Sequence, residues 1–213
     1  EGGTARFGRA NVGEVLPPAV NKQRELGIKT RLAGGMQAQA ALFDISRPLV
    51  TVDGSNRDVL GGESTYRGLE VSIGGEINRQ WSVLASAVFL DAEITSVSTF
   101  NAAELGKTPE NTAKGTLSLF AEYRVPSVPG WSLNGGVYFV GKRAVNNLNQ
   151  GYVPAYTTLS LGTRYATKWG NTPVTLQANL DNATDRDYWV GTGANLLSAG
   201  LPRTLRVAAT FAF

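Results

Sequence analysis

The last eleven residues of the chain, RTLRVAATFAF at positions 203–213, contain the pattern that decides the fold. One set of alternate positions holds the large apolar residues Leu205, Val207, Phe211 and Phe213, and the other set holds Thr204, Arg206 and Thr210. Successive side chains of a β-strand point to opposite faces. The segment is therefore predicted to be a strand with one apolar face and one small or polar face.

The same period of two recurs upstream, most clearly in 67–77, 158–165 and 173–181. A period of two favours strands over helices. We predict nine strands, at about 20–32, 35–45, 64–77, 80–94, 112–124, 131–143, 156–166, 173–183 and 203–213.

The predicted connections alternate strictly between short and long. The long ones are 46–63, 95–111, 144–155 and 184–202. Antiparallel strands joined in sequence between two unlike compartments give tight turns at one rim and large loops at the other. We expect this topology, with the four long loops at one rim.

Strand length and aromatic placement favour a transmembrane barrel over a soluble β-sandwich. The predicted strands run to about 10 residues or more, which is the length that crosses a bilayer at a tilt. Trp81, Trp131 and Trp169 lie beside short turns, as in the interfacial belts of such barrels. The sequence thus predicts an all-β, antiparallel, up-and-down transmembrane β-barrel. Bacterial barrels have an even strand number, so nine strands indicate part of a larger one.

Composition excludes several classes of function. The chain has no His and no Cys, which removes histidine-dependent catalysis and thiolate metal sites. A net charge of +3 on 213 residues gives no reason to expect nucleic-acid binding. We expect no enzyme activity, metal or cofactor. An outer-membrane hydrolase is the enzymatic alternative, and it would need an activated nucleophile or a general base. The favoured interpretation is that the polar residues line the barrel lumen. The residues concerned are Glu70, Glu76, Arg164, Gln177, Asn179 and Arg206.

Four segments in order carry a family resemblance. They are Gly13–Pro18 with Lys22–Lys29, Tyr66–Glu70 leading through Trp81–Val83 to Leu90–Ile94, Asn179–Trp189, and Gly200–Arg206 through Phe213. Together they resemble the C-terminal part of a TonB-dependent outer-membrane receptor of the siderophore-uptake type.

The resemblance implies a barrel of about 22 strands in the Gram-negative outer membrane. Residues 1–213 would be the C-terminal portion of its barrel domain, without the N-terminal plug and the earlier strands. It also implies uptake of ferric siderophores energised through the TonB complex. Outer-membrane lipid, lipopolysaccharide and the barrel-assembly machinery would be further partners. A passive porin-like barrel is the alternative, and a plug preceding the barrel in the gene would distinguish the receptor from it.

The resemblance also orients the chain and suggests a ligand site. The C-terminus resembles one that ends in the periplasm, so the long loops would be extracellular. Arg offers fixed donors to oxygen-rich anions, and aromatic rings offer flat contact area. Among the residues that flank two of these loops, Arg143, Tyr152 and Trp189 are predicted ligand contacts. In the alternative, the aromatics belong to the interfacial belt and Lys142 and Arg143 bind lipopolysaccharide phosphates. Phe213 is the expected assembly signal.

Overall fold

The computed structural model describes residues 3–193 and 196–212. Its elements are β1 (Lys22–Arg31), β2 (Gln37–Val52), β3 (Asp58–Glu76), β4 (Trp81–Ser96), β5 (Gly115–Arg124), β6 (Trp131–Val140), β7 (Arg143–Ala144), β8 (Tyr152–Val153), β9 (Tyr156–Trp169), β10 (Thr172–Asp181), β11 (Trp189–Gly193), β12 (Leu196–Ala199), β13 (Thr204–Phe211) and the 3₁₀ turns Ala33–Gly35 and Thr99–Glu104. None of the helical turns in these ranges is long and apolar enough to cross a membrane.

Nine strands form one antiparallel sheet in the order β1-β2-β3-β4-β5-β6-β9-β10-β13. Each pairs with the next strand of the sheet along the chain, and the other four form two small hairpins, β7 with β8 and β11 with β12. The predicted nine-strand, up-and-down antiparallel topology is confirmed. In the described ranges β1 pairs only with β2, and β13 only with β10.

The strand registers divide the sheet into an apolar and a polar face, because cross-strand partners share a face. Leu26, Leu42, Leu69 and Phe89 are successive partners across β1 to β4. At the other end of the sheet Leu205 lies opposite Leu180, which lies opposite Leu161. Leu205, Val207 and Phe211 share this apolar face as predicted, and it is largely uncovered. Phe213 lies outside the described residues.

The opposite face is polar across much of the sheet. Glu122, Asn134, Gly162, Asn179 and Arg206 are successive partners from β5 to β13. Arg124 bridges to Glu76 at 2.7 Å, Arg164 to Glu122 at 3.3 Å, and Arg206 to Asp181. All six polar residues singled out from the sequence occupy this face, and much of its charge is neutralised by pairs between strands.

The connections reproduce the predicted alternation with one correction. Those at 32–36, 77–80, 125–130 and 170–171 are short and share one rim, and 97–114, 141–155 and 182–203 are long and share the other. The predicted long loop at 46–63 is wrong, since β2 and β3 continue to a turn at 53–57.

The turn at 53–57 is closed by the Asp53 carboxylate, which accepts the backbone N–H groups of Ser55 and Arg57. Pro48 gives the segment the sequence character of a loop, because proline is uncommon inside strands. The structure keeps the pairing through a register shift between Leu49 and Val50. Pairing resumes beyond the shift, with Val52 opposite Asp58. The result is a β2–β3 hairpin that extends past β4.

The fully buried apolar side chains are few and gather mainly at the rim with the long loops. Most belong to those loops or to the adjoining strand ends: Ala5, Leu16, Ala92, Ile94, Val140, Ala144 and Val153. The packed core of this chain therefore supports the loops, while the mid-strand apolar face remains open.

Candidate functional site

The loops at one end of the sheet form a connected layer that contains all three predicted ligand residues. We call this layer the loop rim and define it as residues 3–16, 53–58, 97–114, 141–155 and the described part of 182–203. Side-chain hydrogen bonds join these segments in turn. The loop rim is therefore one surface held together by hydrogen bonds rather than a set of separate loops.

Asp58 anchors the segment 3–16 to the top of the β2–β3 hairpin. Its side chain is fully buried and accepts hydrogen bonds from the Arg6 backbone N–H at 2.8 Å and from Arg6 Nε and Nη2 at 2.9 and 2.6 Å. Arg9 adds an ion pair at 3.3 Å. The Asn11 side chain pairs with both backbone polar groups of Asp58.

The Arg6 hydrogen bonds lower the pKa of Asp58 from its ordinary value of 3.8 to about 2, although burial acts in the opposite direction. On the loop-rim side, the pairing of β3 with β4 stops at Glu63. Asp58 lies five residues closer to the rim than Glu63, so it is outside the membrane-spanning part of the strand. The carboxylate therefore stays ionised at neutral pH.

Asparagine side chains connect the next two loops. Asn149 accepts the backbone N–H of Thr108 at 3.0 Å and donates to its carbonyl at 2.8 Å. Asn147 accepts the backbone N–H of Glu110 at 2.9 Å. Asn101 accepts the backbone N–H of Val52 at 3.0 Å, which connects the same loop to β2. Because an Asn amide both donates and accepts, it can pair with backbone groups as another peptide would.

Arg143 connects three loops. It belongs to β7, is 8% exposed, and donates to Asn111 Oδ1 at 3.0 Å and to the Trp189 backbone oxygen at 3.3 Å. Its Nε is buried and has no hydrogen-bond partner among the described residues. The guanidinium lies 5.8 Å from the centroid of the Tyr156 ring. This predicted contact residue is thus placed inside the rim.

A stack of aromatic rings supports the Arg143 side chain. Tyr156 stacks on Tyr188 with ring centroids 4.2 Å apart. Tyr188 packs directly against Gly200, where any Cβ atom would overlap the ring. The Gly200 N–H also donates to the Tyr188 carbonyl at 2.7 Å. Gly200 is thus required for the close approach that fixes Tyr188.

Tyr152 and Trp189 present about half of their surface to solvent, at 52% and 53%. Tyr152 lies in β8, and the Lys142 ammonium is 5.0 Å from its ring centroid. Trp189 begins β11, with its backbone held by Arg143. The structure therefore brings Arg143 and Trp189 together, while Tyr152 lies on the strand that pairs with β7.

The rim combines exposed aromatic rings, cations and loops joined by hydrogen bonds, which suits binding of a flat or oxygen-rich group. Among the residues that the structure describes, no three Asp, Glu, His or Cys side chains are grouped to hold a metal ion. Sequence reasoning missed Asp58, Asn111, Asn147 and Asn149, whose roles depend on contacts between distant loops.

Comparison with known proteins gives a consistent result. A family model described as "TonB dependent receptor-like, beta-barrel" matches residues 2–183. The ferrichrome receptor FcuA of Yersinia enterocolitica is 32% identical over 210 residues, which are 95% of this chain and 27% of that protein. The ferrichrome outer membrane transporter/phage receptor of Escherichia coli K12 is 27% identical over 94% of this chain and 27% of its own length.

Solved structures agree with the fold. The ferric preacinetobactin receptor BauA from Acinetobacter baumannii superposes with a TM-score of 0.83 and 31% identity, over 99% of this chain and 32% of that one. The siderophore receptor PiuA from the same species gives a TM-score of 0.80 at 23% identity, over 97% and 30%. The chain spans about a quarter to a third of the length of these four proteins.

Proposed function

Because the chain belongs to the TonB-dependent receptor-like β-barrel family, we propose that it is part of an outer-membrane receptor that takes up ferric siderophores with energy supplied through TonB. The main support is the match to FcuA, a protein named as a ferrichrome receptor, across 95% of this chain. The relatives are named as receptors and transporters, so the proposed role is transport and not catalysis.

In this proposal residues 1–213 form the C-terminal portion of the barrel domain in the Gram-negative outer membrane. The earlier strands and the plug belong to other parts of the receptor, and TonB acts through those parts. The uncovered apolar face of the sheet supports a lipid-facing wall, and the polar face supports a lined lumen. Outer-membrane lipid and lipopolysaccharide contact the apolar face, and the barrel-assembly machinery reads the C-terminal strand ending at Phe213.

The ligand binds at the loop rim, which is extracellular. Tyr152 and Trp189 are the proposed direct contacts, supported by their exposed rings. Arg143 also belongs to the proposed site. Because little of its surface is exposed, it contributes to ligand binding mainly by holding the backbone of Trp189 in position. Many siderophores carry flat, oxygen-rich hydroxamate or catecholate groups, which suit contact with aromatic rings.

A growth assay tests the proposal. The complete gene and its deletion are compared in an iron-starved Gram-negative host supplied with one ferric chelate at a time, including hydroxamates and catecholates. The proposal predicts that the gene restores growth on at least one ferric siderophore and that a strain without TonB does not respond. Growth that does not depend on TonB would favour the passive porin-like barrel.

A further inference from the structure

Two of the segments that carry the family resemblance, Asn179–Trp189 and Gly200–Arg206, contain the two ends of the last long connection. This connection, residues 182–203, joins Asp181 of β10 to Thr204 of β13, which are opposite each other in the sheet. A short hairpin loop fixes the register of its strands through the geometry of its turn. The connection is far longer than a usual hairpin loop of about 2–5 residues. The register of β13 must therefore be set in another way.

The side-chain pattern of the two strands leaves one alternative register open. If β13 moved by two residues, Ala178 would face Ala209 instead of Val207, and the apolar face would stay apolar. Arg206 would then face Asp181, with which it already forms an ion pair across the diagonal. A shift of two also keeps the alternation of hydrogen-bonded and non-hydrogen-bonded pairs. Neither the apolar pattern nor this ion pair therefore selects the observed register.

Contacts at the base of the connection do distinguish the two registers. Asn182, the first residue after β10, is buried and donates to the Leu201 carbonyl oxygen at 3.1 Å. The Asp185 carboxylate accepts the Arg203 backbone N–H at 3.1 Å and pairs with the Arg203 guanidinium at 3.4 Å. We call these four residues the register clamp. The clamp ties the residues that follow β10 to those that precede β13.

Local hydrogen bonds hold the β10 side of the clamp in place. Asn182 and Asp185 have positive φ angles of 47° and 54°, a conformation that Asn and Asp adopt more readily than most residues. The Asn182 side chain pairs with both backbone polar groups of Arg186 at 2.9 Å. The Ala183 N–H donates to the Leu159 carbonyl oxygen of β9 at 2.7 Å. The clamp therefore holds β13 from a position that is fixed relative to the sheet.

We propose that Asn182 and Asp185 are positioning residues that set the register of the C-terminal strand β13 on β10. Moving β13 by two residues would carry Arg203, the residue before it, about 7 Å along the strand axis and away from Asp185. Leu201 would leave Asn182 in the same movement, so only the observed register keeps the clamp intact. The inference goes beyond the proposed transport, because it concerns assembly of the barrel wall and holds for any ligand.

The test compares two variants of the full-length receptor in the outer membrane. The clamp variant, Asn182→Gly/Asp185→Gly, removes the two side chains, and Gly adopts the same positive φ angles without strain. The control, Asn56→Gly/Asn149→Gly, makes the same kind of change at two other positive-φ residues of the loop rim. The side chains of Asn56 and Asn149 form hydrogen bonds to other loops.

Cysteine pairs report the register in each protein. The pair Ala178→Cys/Val207→Cys joins the strands in the observed register, and the pair Ala178→Cys/Ala209→Cys joins them in the shifted one. A disulfide needs Cβ atoms about 4 Å apart, so cysteines two residues out of register should not form one. Residues 1–213 contain no Cys that could compete. After oxidation, linked peptides are counted by mass spectrometry.

The shifted disulfide should form at least tenfold more in the clamp variant than in the control or the unaltered receptor. Equal yields of both disulfides in the clamp variant and the control would overturn the proposal. If the clamp variant is degraded before assembly, oxidation of the Ala178→Cys/Val207→Cys pair should restore it, because that disulfide fixes the register directly. A clamp variant that the disulfide does not restore has lost more than its register, and this result also overturns the proposal.

Discussion

The guanidinium of Arg143 donates a hydrogen bond of 3.3 Å to the backbone oxygen of Trp189. The two residues belong to different loops, and Arg143 also contacts Asn111 in a third. One buried side chain therefore sets the relative position of three loops. Trp189 is exposed, so its ring is presented to the exterior from a backbone that is held in place.

Replacing Arg143 by Ala should loosen these loops. The change leaves Asn111 and the Trp189 carbonyl without their partner, at a cost of about 1–3 kcal/mol. Limited proteolysis of the full-length receptor should cut within 97–114 and 182–203 faster in Arg143→Ala than in Arg143→Lys, which keeps a donor. If the unaltered receptor and both variants are cleaved at the same rate, Arg143 does not hold the loops.

The three predicted ligand residues should act together on affinity. Substituting Arg143, Tyr152 and Trp189 by Ala is expected to weaken siderophore binding at least tenfold, which corresponds to about 1.4 kcal/mol. Surface expression should be unchanged. Leu201→Ala is a suitable control, because Leu201 is an exposed apolar residue of the same rim. An affinity that stays the same in the triple variant would assign Tyr152 and Trp189 to the interfacial belt and leave Arg143 only a structural role in the rim.

The register of β13 predicts that a charge has unequal effects on stability at two adjacent positions, Val207 and Ala208. Val207 lies opposite Ala178 on the apolar face, and Ala208 lies opposite Gln177 on the polar face. A charge on the lipid side near the midplane costs about 2–4 kcal/mol. Val207→Arg should therefore reduce the free energy of unfolding of the full-length receptor far more than Ala208→Arg. Equal losses in denaturant titrations would show that the faces are assigned incorrectly.

Docking of the segment 3–16 should depend on pH through Asp58. Its pKa is lowered to about 2 in the folded state, so its stabilising contribution is present above about pH 4 and is lost as the pH falls toward 2. The shift corresponds to about 2 kcal/mol. Hydrogen exchange, corrected for the intrinsic rate, should show the Arg6 amide losing protection between pH 5 and pH 2.

The variant Asp58→Asn is the control for that titration. It should give weaker protection of the Arg6 amide than the unaltered receptor at pH 5, and its protection should not change between pH 5 and pH 2, so that the two proteins become similar near pH 2. Full protection of the unaltered receptor at pH 2 would contradict the role given to the Asp58 carboxylate.

The strands could be predicted because each carries its own signal. The alternation from Leu205 to Phe211 is local, and so is the similar pattern of β10, which pairs with β13. The extension of β2 and β3 could not be predicted in this way. Pro48 and the turn residues after Val52 resemble a loop, and only the pairing of two distant segments makes them a hairpin.

The loop rim was predictable only in part. The aromatic residues near the long loops indicated where a ligand would bind, and Tyr152 and Trp189 are exposed there. The burial of Arg143 was not predictable, because it arises from contacts with Asn111 and Trp189, which are far away in sequence. The same holds for Asn149, whose role depends on a partner in another loop.

The measurement that tests the central claim most directly is uptake of radiolabelled ferric siderophore by cells that carry the full-length gene and lack other receptors. We predict saturable uptake that requires TonB and stops when the proton gradient is collapsed. Uptake that is linear in concentration and continues without TonB would contradict the receptor assignment and indicate a passive barrel.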